Sequence, residues 1–156
     1  MGVWAAQQAL SALDIPIRHA VAINGTPFPV DNGRGIPEQM AKATLDGLTP
    51  ESLMRFYRRM FGSGTRLKQM EQAGRLPCID FEERKSELFR IIGQRPYTDN
   101  GFGWHEAIVG TEDAIFPVEN MRAYWHGHGK AKVREIEAPH YPFHLFTSWE
   151  EVVGEL

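Results

Sequence analysis

Three short apolar runs, each set apart by helical sequence, constrain the fold of this chain more than any other feature. Ala20-Val21-Ala22-Ile23, Glu106-Ala107-Ile108-Val109-Gly110 and Lys132-Val133-Arg134-Glu135-Ile136 read as strands. The first is apolar throughout and stops at Asn24-Gly25, as a strand buried in a parallel sheet does. Ahead of it, Val3, Ala6, Leu10 and Leu13 recur at helical spacing, with Gln7, Gln8 and Ser11 between them, and Asp14 with Pro16 closes that helix. Helical patterns also cover Val118 to Trp125 and the stretch from Ser148. The order is therefore helix, strand, helical insert, strand, helix, strand, helix. Such alternation predicts an α/β fold, a parallel sheet of about three strands flanked by helices and joined by right-handed crossovers.

The insert is a long one. After a loop rich in Pro, Gly and Asp from Thr26 to Gly35, helical sequence runs from Pro37 to about Gly93. Pro37 to Leu48 is one expected helix, and Thr49-Pro50 opens the next with an N-cap and a first-turn proline. In that helix Leu53, Met54, Phe56, Tyr57, Met60 and Phe61 form a broad face, with Arg55, Arg58 and Arg59 opposite. Gly62 stops it, and Ser63 reads as part of that stop. A short helix over Leu67 to Ala73 follows. Asp80 with Glu83 then resembles a capping box before Leu88, Phe89, Ile91 and Ile92. Residues 1–156 are expected to form a single, partial domain in which residues 26–103 are an inserted helical lid. Three strands make a narrow sheet with an open edge, and the first helix has no strand ahead of it. Both features fit a sheet whose first strands lie upstream of this chain.

The chain has 156 residues, 42% of them hydrophobic and 24% charged, with a net charge of −3. That is the composition of a soluble globular protein, and it gives no bulk attraction to nucleic acid. Cys78 is the single cysteine. It forms no internal disulfide, and its place between Pro77 and Ile79 reads as a small core residue in a reducing cytoplasm. No apolar run approaches the roughly 18 residues of a membrane helix. The basic start of a signal peptide is also absent, so neither membrane nor export is expected.

Chemistry concentrates after the last two strands. Glu112-Asp113-Ala114-Ile115-Phe116-Pro117 follows one, and Ala138-Pro139-His140-Tyr141-Pro142-Phe143-His144 follows the other. An acid after one strand and a histidine after the next is how α/β-hydrolases supply two members of a catalytic triad. Asp113 is the expected acid, because Ile115 and Phe116 can anchor its turn, although Glu112 stands beside it. The third member belongs in a G-x-S-x-G turn between a strand and a helix. Met1-Gly2-Val3-Trp4 reads as the remainder of such an elbow, starting one residue after the serine. Gly2 would be its last glycine, where a Cβ would crowd the turn, and Met1 would lend a backbone N–H to the oxyanion hole. None of Ser11, Ser52, Ser63, Ser86 and Ser148 has the spacing of a nucleophile.

Other constellations are weaker. His126-Gly127-His128 with His140 and His144 could chelate a metal, but the carboxylate and cysteine partners of a zinc pattern are missing, so no metal is expected. Glycine-rich phosphate loops are absent, and no cofactor is expected. The Arg55, Arg58, Arg59 face, with Arg66 and Lys68 nearby, gains meaning if the substrate rides on an acidic carrier, which a basic lid would steer.

At this point the sequence resembles a family. Val21-Ala22-Ile23-Asn24-Gly25-Thr26-Pro27-Phe28-Pro29-Val30-Asp31 and Gly35-Ile36-Pro37 are similar to BioG-type pimeloyl-acyl-carrier-protein methyl ester carboxylesterases of biotin synthesis. So are Phe56-Tyr57-Arg58-Arg59-Met60, Ala107-Ile108-Val109-Gly110 leading to Asp113-Ala114-Ile115-Phe116, and Ile136-Glu137-Ala138-Pro139-His140-Tyr141-Pro142-Phe143. The resemblance implies the C-terminal part of an α/β-hydrolase with an inserted lid. It implies hydrolysis of the methyl ester of pimeloyl-acyl-carrier protein by a Ser-His-Asp triad. His140 then matches the triad histidine and Asp113 the acid. The family's W-S-M-G-V-W elbow is represented by Met1-Gly2-Val3-Trp4 alone, so its serine falls upstream. Two readings compete with an esterase: a non-catalytic module that binds the carrier protein, and a metal-dependent hydrolase built on the histidines.

Overall fold

The computed structural model describes residues 1–13, 15–76, 80–127 and 130–154. Asp14, Cys78 and His128 lie outside the described residues, and with them the helix stop, the core position and one histidine considered above. Three parallel strands, β1 (Val21–Ile23), β2 (Glu106–Gly110) and β3 (Lys132–Ile136), form one sheet in the order β1-β2-β3. The register sets Ile23 beside Ile108 and Gly110 beside Ile136. Every residue of the central strand is buried, as its apolar sequence requires. In β1 only Ala22 is buried, because among the described strands β1 has a partner on one side only.

Helix α1 (Gly2–Ser11) precedes the sheet, and its buried residues are Val3 and Gln7. This corrects the expected apolar stripe. The helix ends before Leu13, which is 54% exposed, and Gln7 takes the inward place one turn after Val3. The amide is satisfied there: its Oε1 accepts from Trp104 Nε1 at 3.2 Å and its Nε2 donates to Asp99 Oδ1 at 3.3 Å. Between β2 and β3, helix α6 (Val118–Gly127) brings Met121, Tyr124 and Trp125 onto the sheet. With Phe116 they close a core over Ala22, Ala107, Val109 and Phe28. Trp125 Nε1 donates to Gly25 O at 3.0 Å, so even this bulky core residue leaves no buried donor unpaired.

Four helices lie between β1 and β2: α2 (Glu38–Asp46), α3 (Pro50–Met60), α4 (Gly64–Gln72) and α5 (Phe81–Gly93). The caps follow the sequence closely. Thr49 Oγ1 accepts from Ser52 N at 3.1 Å and Ser52 Oγ accepts from Thr49 N at 2.7 Å, a full capping box ahead of Pro50. Gly62, with φ of 76°, ends α3. Ser63 does not serve that stop; its Oγ accepts from Arg66 N at 3.1 Å and caps α4. Asp80 Oδ1 accepts from Glu82 N and Glu83 N, which starts α5. Of the apolar set expected on α5, Phe89 is 67% exposed, since α5 presents Leu88 and Ile91 inward instead. A last short helix, α7 (Trp149–Val153), is held to the sheet by Arg134. Arg134 pairs with Glu106 at 2.5 Å and donates to Val152 O at 2.8 Å. Among the described residues no helix is long and apolar enough to cross a membrane.

The loop after β1 is buried from Asn24 to Val30, which is unusual for a connection. Its backbone is satisfied internally. Thr26 Oγ1 donates to Arg34 O at 2.6 Å and accepts from Phe28 N at 3.1 Å, while Val30 bridges Ile36. Gly35 makes this possible, because a Cβ there would meet Phe28 O at 2.1 Å and Asp31 N at 2.7 Å. Gly35→Ala is therefore expected to cost about 1–3 kcal/mol through forced backbone shifts. Gly103→Ala, where a Cβ meets nothing within 4 Å, is the control. Urea unfolding of the two variants checks this; equal midpoints would show that the loop is not held by that contact.

Candidate active site

The site is built by the parallel ladder running past its own strands. Beyond Gly110 and Ile136 the two chains stay paired, with Thr111 N donating to Ile136 O at 2.8 Å and Glu112 N to Ala138 O at 3.1 Å. Asp113 and His140 therefore leave adjacent strand ends side by side, at the edge where parallel sheets hold ligands. His140 Nδ1 and Asp113 Oδ2 are 2.7 Å apart. The Asp113 side chain is 0% exposed and that of His140 is 23% exposed.

Asp113 is fixed before it meets the histidine. Its Oδ1 accepts from Ile115 N at 2.7 Å and from Phe116 N at 2.8 Å. Three donors around a fully buried carboxyl offset the cost of removing it from water. With the carboxylate as acceptor, Nδ1 of His140 carries the proton and Nε2 is left as the free base. Glu112, exposed beside it, makes no such contact with His140.

Asn24 holds the histidine loop in place. It ends β1 with φ of 47°, a left-handed conformation that asparagine adopts more readily than most residues. Its Oδ1 accepts from Gly110 N at 2.6 Å, and its Nδ2 donates to Pro139 O at 3.1 Å and His140 O at 2.9 Å. One side chain thus ties the ends of all three strands. Sequence reading took Asn24-Gly25 only as a strand stop; the missed signal was an asparagine at a strand end facing two catalytic-type loops.

His140 opens onto a cavity of about 330 Å³. Its walls are apolar for the most part, with Ile36, Leu53, Phe56, Leu88 and Phe116 among them, and its charged members are Arg59, Arg84 and Glu87. Helices α2, α3 and α5 supply the wall opposite the sheet. Met1 lines the same cavity. Gly2 also borders the cavity.

The three arginines of α3 divide. All of Arg55, Arg58 and Arg59 are exposed, yet Arg59 does not lie opposite the apolar face as expected. It follows Phe56 by three residues, which brings it to the cavity wall, where its guanidinium lies 6.0 Å from the Phe56 ring. None of the five serines lines the cavity. Among the described residues no three His, Cys, Asp or Glu side chains gather as metal ligands. His144 instead sits against Tyr141 O at 3.3 Å, with its pKa lowered by burial and by Arg66.

Replacing Asn24 would strand Gly110 N–H and two carbonyls in a buried place. Asn24→Ala is expected to cost about 2–4 kcal/mol, from several hydrogen bonds lost at about 1 kcal/mol or more each. It should also release the His140 loop. Chemical denaturation measures the first and the His140 ring signals in NMR the second. A variant of unchanged stability would remove Asn24 from this role.

The site can be compared with known proteins. Residues 1–152 match the family described as pimeloyl-ACP methyl esterase BioG. The chain is 39% identical over 144 residues to a malonyl-[acyl-carrier protein] O-methyltransferase of Bacteroides fragilis (strain 638R), covering 90% of this chain and 28% of that protein. It is 34% identical over 149 residues to an uncharacterized protein of Haemophilus influenzae, covering 96% of this chain and 67% of that one. A crystal structure of selenomethionine BioG from Haemophilus influenzae superposes with a TM-score of 0.85 at 33% identity, over 98% of this chain and 69% of the other. The chain thus spans about a quarter of the methyltransferase and about two thirds of the other two. By its match over nearly its whole length, and by the fold it shares, this chain belongs to the BioG family.

Proposed function

We propose that this chain carries the acid and the base of a carboxylesterase that hydrolyses the methyl ester of pimeloyl-acyl-carrier protein in biotin synthesis. The observation that supports this best is the 2.7 Å contact between His140 and a fully buried Asp113 at the mouth of an apolar cavity. Membership of a family described as pimeloyl-ACP methyl esterase supports that choice of substrate. In this reading the nucleophile is a serine placed before Met1, and the helical block over residues 26–103 is the lid.

The chemistry follows from the geometry. His140 Nε2 takes the serine proton as its oxygen attacks the ester carbonyl, and Asp113 stabilises the imidazolium that forms. The Met1 backbone N–H, next to the serine, would face the oxyanion. Collapse breaks the bond to the methoxy oxygen, which takes the proton from His140 and departs as methanol, leaving an acyl-enzyme. Water, deprotonated by the same ring, then releases the free acid. The apolar walls suit a hydrocarbon chain and exclude competing water. A methyltransferase reading has less support, since the chain matches 28% of the relative so named and holds no G-x-G-x-x-G loop.

In this reading Arg55, Arg58 and Arg59 receive the acidic carrier protein. The alternative of a module that binds the carrier without turnover uses the same residues. Arg58→Glu with Arg59→Glu is expected to weaken carrier binding by at least about tenfold and to remove its salt dependence. Titration of labelled carrier protein checks it, and unchanged affinity would reduce these charges to solvation.

The activity test separates the two readings. Residues 1–156 alone are expected to give no methyl-ester hydrolysis above background, since His140 then has no nucleophile to activate. With the upstream segment restored, turnover should appear and depend on the new serine. Asp113→Asn should then lower kcat by about 10³–10⁴-fold with the fold intact. Robust hydrolysis by the short chain, or near-normal turnover in the Asp113→Asn enzyme, would overturn this assignment.

A further inference from the structure

Among the described residues, Arg84 in the cavity wall has no ion-pair partner. Arg84 lies on the inward face of α5, in line with Leu88 and Ile91 one and two turns on, and all three border the cavity that holds His140. Its Nε and Nη2 are sealed from solvent and make no hydrogen bond. Glu87 borders the same cavity and forms no ion pair with it among the described residues. Its guanidinium lies 5.8 Å from the centre of the ring of buried Tyr57.

A buried guanidinium edge without an acceptor costs stability, and folding has cheaper residues for an apolar wall. The two unpaired nitrogens are also the pair that binds carboxylates side-on. Arg122 shows this in the same chain: its Nε and Nη2 hold the two carboxylate oxygens of Glu135 at 2.8 and 2.7 Å. Arg84 carries the same edge, and among the described residues no carboxylate occupies it.

We infer that Arg84 is the oxyanion anchor of the acyl cavity, binding a two-oxygen anion carried at the far end of a substrate whose ester lies at His140. The inference rests on the esterase reading of the cavity and names what that reading leaves open, the group that fixes the other end of the acyl chain. Two parts of such a substrate offer this chemistry: the terminal carboxylate of a free half-ester and the phosphodiester of the carrier's prosthetic arm. The edge is sealed from solvent in this structure, so binding turns the side chain toward the ligand. The hydrogen bonds missing from the free protein then form only in the complex, which places the selectivity in the anion rather than in the apolar chain.

Binding tests this without any turnover. The probes are the methyl-ketone analogue of monomethyl pimelate, which cannot be hydrolysed, the same ketone with a methyl group in place of its carboxylate, and phosphopantetheine. The carboxylate ketone is expected to bind the chain at least about tenfold more tightly than the neutral one. Arg84→Gln should erase that preference and leave the affinity for the neutral ketone unchanged, and Arg84→Lys should restore part of it. If phosphopantetheine shows the Arg84-dependent binding instead, the anchor stands and the phosphodiester is its ligand. Arg84→Met should raise the thermal midpoint by about 2–4 °C, because an unpaired buried charge is removed. A preference that survives Arg84→Gln, or its absence for both anions in the wild-type chain, overturns the anchor. So does a lower midpoint with loss of neutral-ketone binding, which marks Arg84 as structural. Arg84-dependent binding in a full-length protein that hydrolyses no ester would sink the esterase reading while leaving the anchor intact.

Discussion

The carboxamide of Asn24 is the interaction on which the rest of the site depends. A parallel sheet delivers loops to one edge, but it does not lock those loops to each other. Here one buried side chain does so, accepting from Gly110 N and donating to Pro139 O and His140 O. The Asp113 turn begins three residues after Gly110, and His140 is itself one of the bonded residues. The separation of Asp113 and His140 is thus set by a residue from a third strand. Gly110 is part of the same constraint, since a Cβ on it would meet Ala138 O at 2.5 Å and the Asn24 amide at 3.1 Å. A network of this kind is useful only when complete, because each unmet group in it would be buried.

The cavity arises from a division of labour between sheet and helices. The strand ends provide polar, hydrogen-bonded groups, while α2, α3 and α5 provide apolar walls. Of those helices α2 packs on α5, and the end of α3 meets the histidine loop, where Tyr141 N donates to Met60 O at 2.9 Å. None of α4 and α5 contains a fully buried residue, and α2 and α3 bury only Ala41 and Tyr57. A layer with so little sealed apolar surface is the part of the molecule that opens most cheaply. Rigidity is kept for the edge that holds Asp113 and His140, where the buried hydrogen bonds lie.

What the sequence made legible was governed by local rules. The strands over 106–110 and 132–136, the capping box at Thr49 and the cap at Asp80 follow from alternation, propensity and side chain to backbone bonds between near neighbours. The juxtaposition of Asp113 with His140 was legible because parallel topology forces it. The failures lie where a residue acts across the fold. Gln7 was assigned to the polar side of α1, yet it is buried because Trp104 and Asp99, nearly a hundred positions away, satisfy its amide. Asn24 passed for a turn residue, and Ser63 was given to the wrong helix because a glycine and a serine together can end one helix or begin another. Arg59 was placed by helical angle alone, which does not say where a neighbouring helix leaves a gap. Arg84 gave no signal at all, since an arginine on an amphipathic helix is ordinary until its surroundings are known.

The identity of the acid shows how far chemistry can sharpen a positional argument. Glu112 and Asp113 are adjacent, and sequence position alone leaves either open. The turn decides between them. Asp113 Oδ1 reaches the amides of Ile115 and Phe116, two and three residues on, a closure that one methylene allows and a glutamate's extra carbon would overshoot. Phe116, fully buried in the core, pins the far side of that turn. The second oxygen, Oδ2, is then left with a fixed direction, and His140 stands in it. The carboxyl is therefore oriented by the backbone and the core before the histidine is considered. Glu112, exposed on the same loop, has neither the turn nor the burial, and its charge is spent in water. The short side chain is what converts a strand-end acid into a fixed partner for the base.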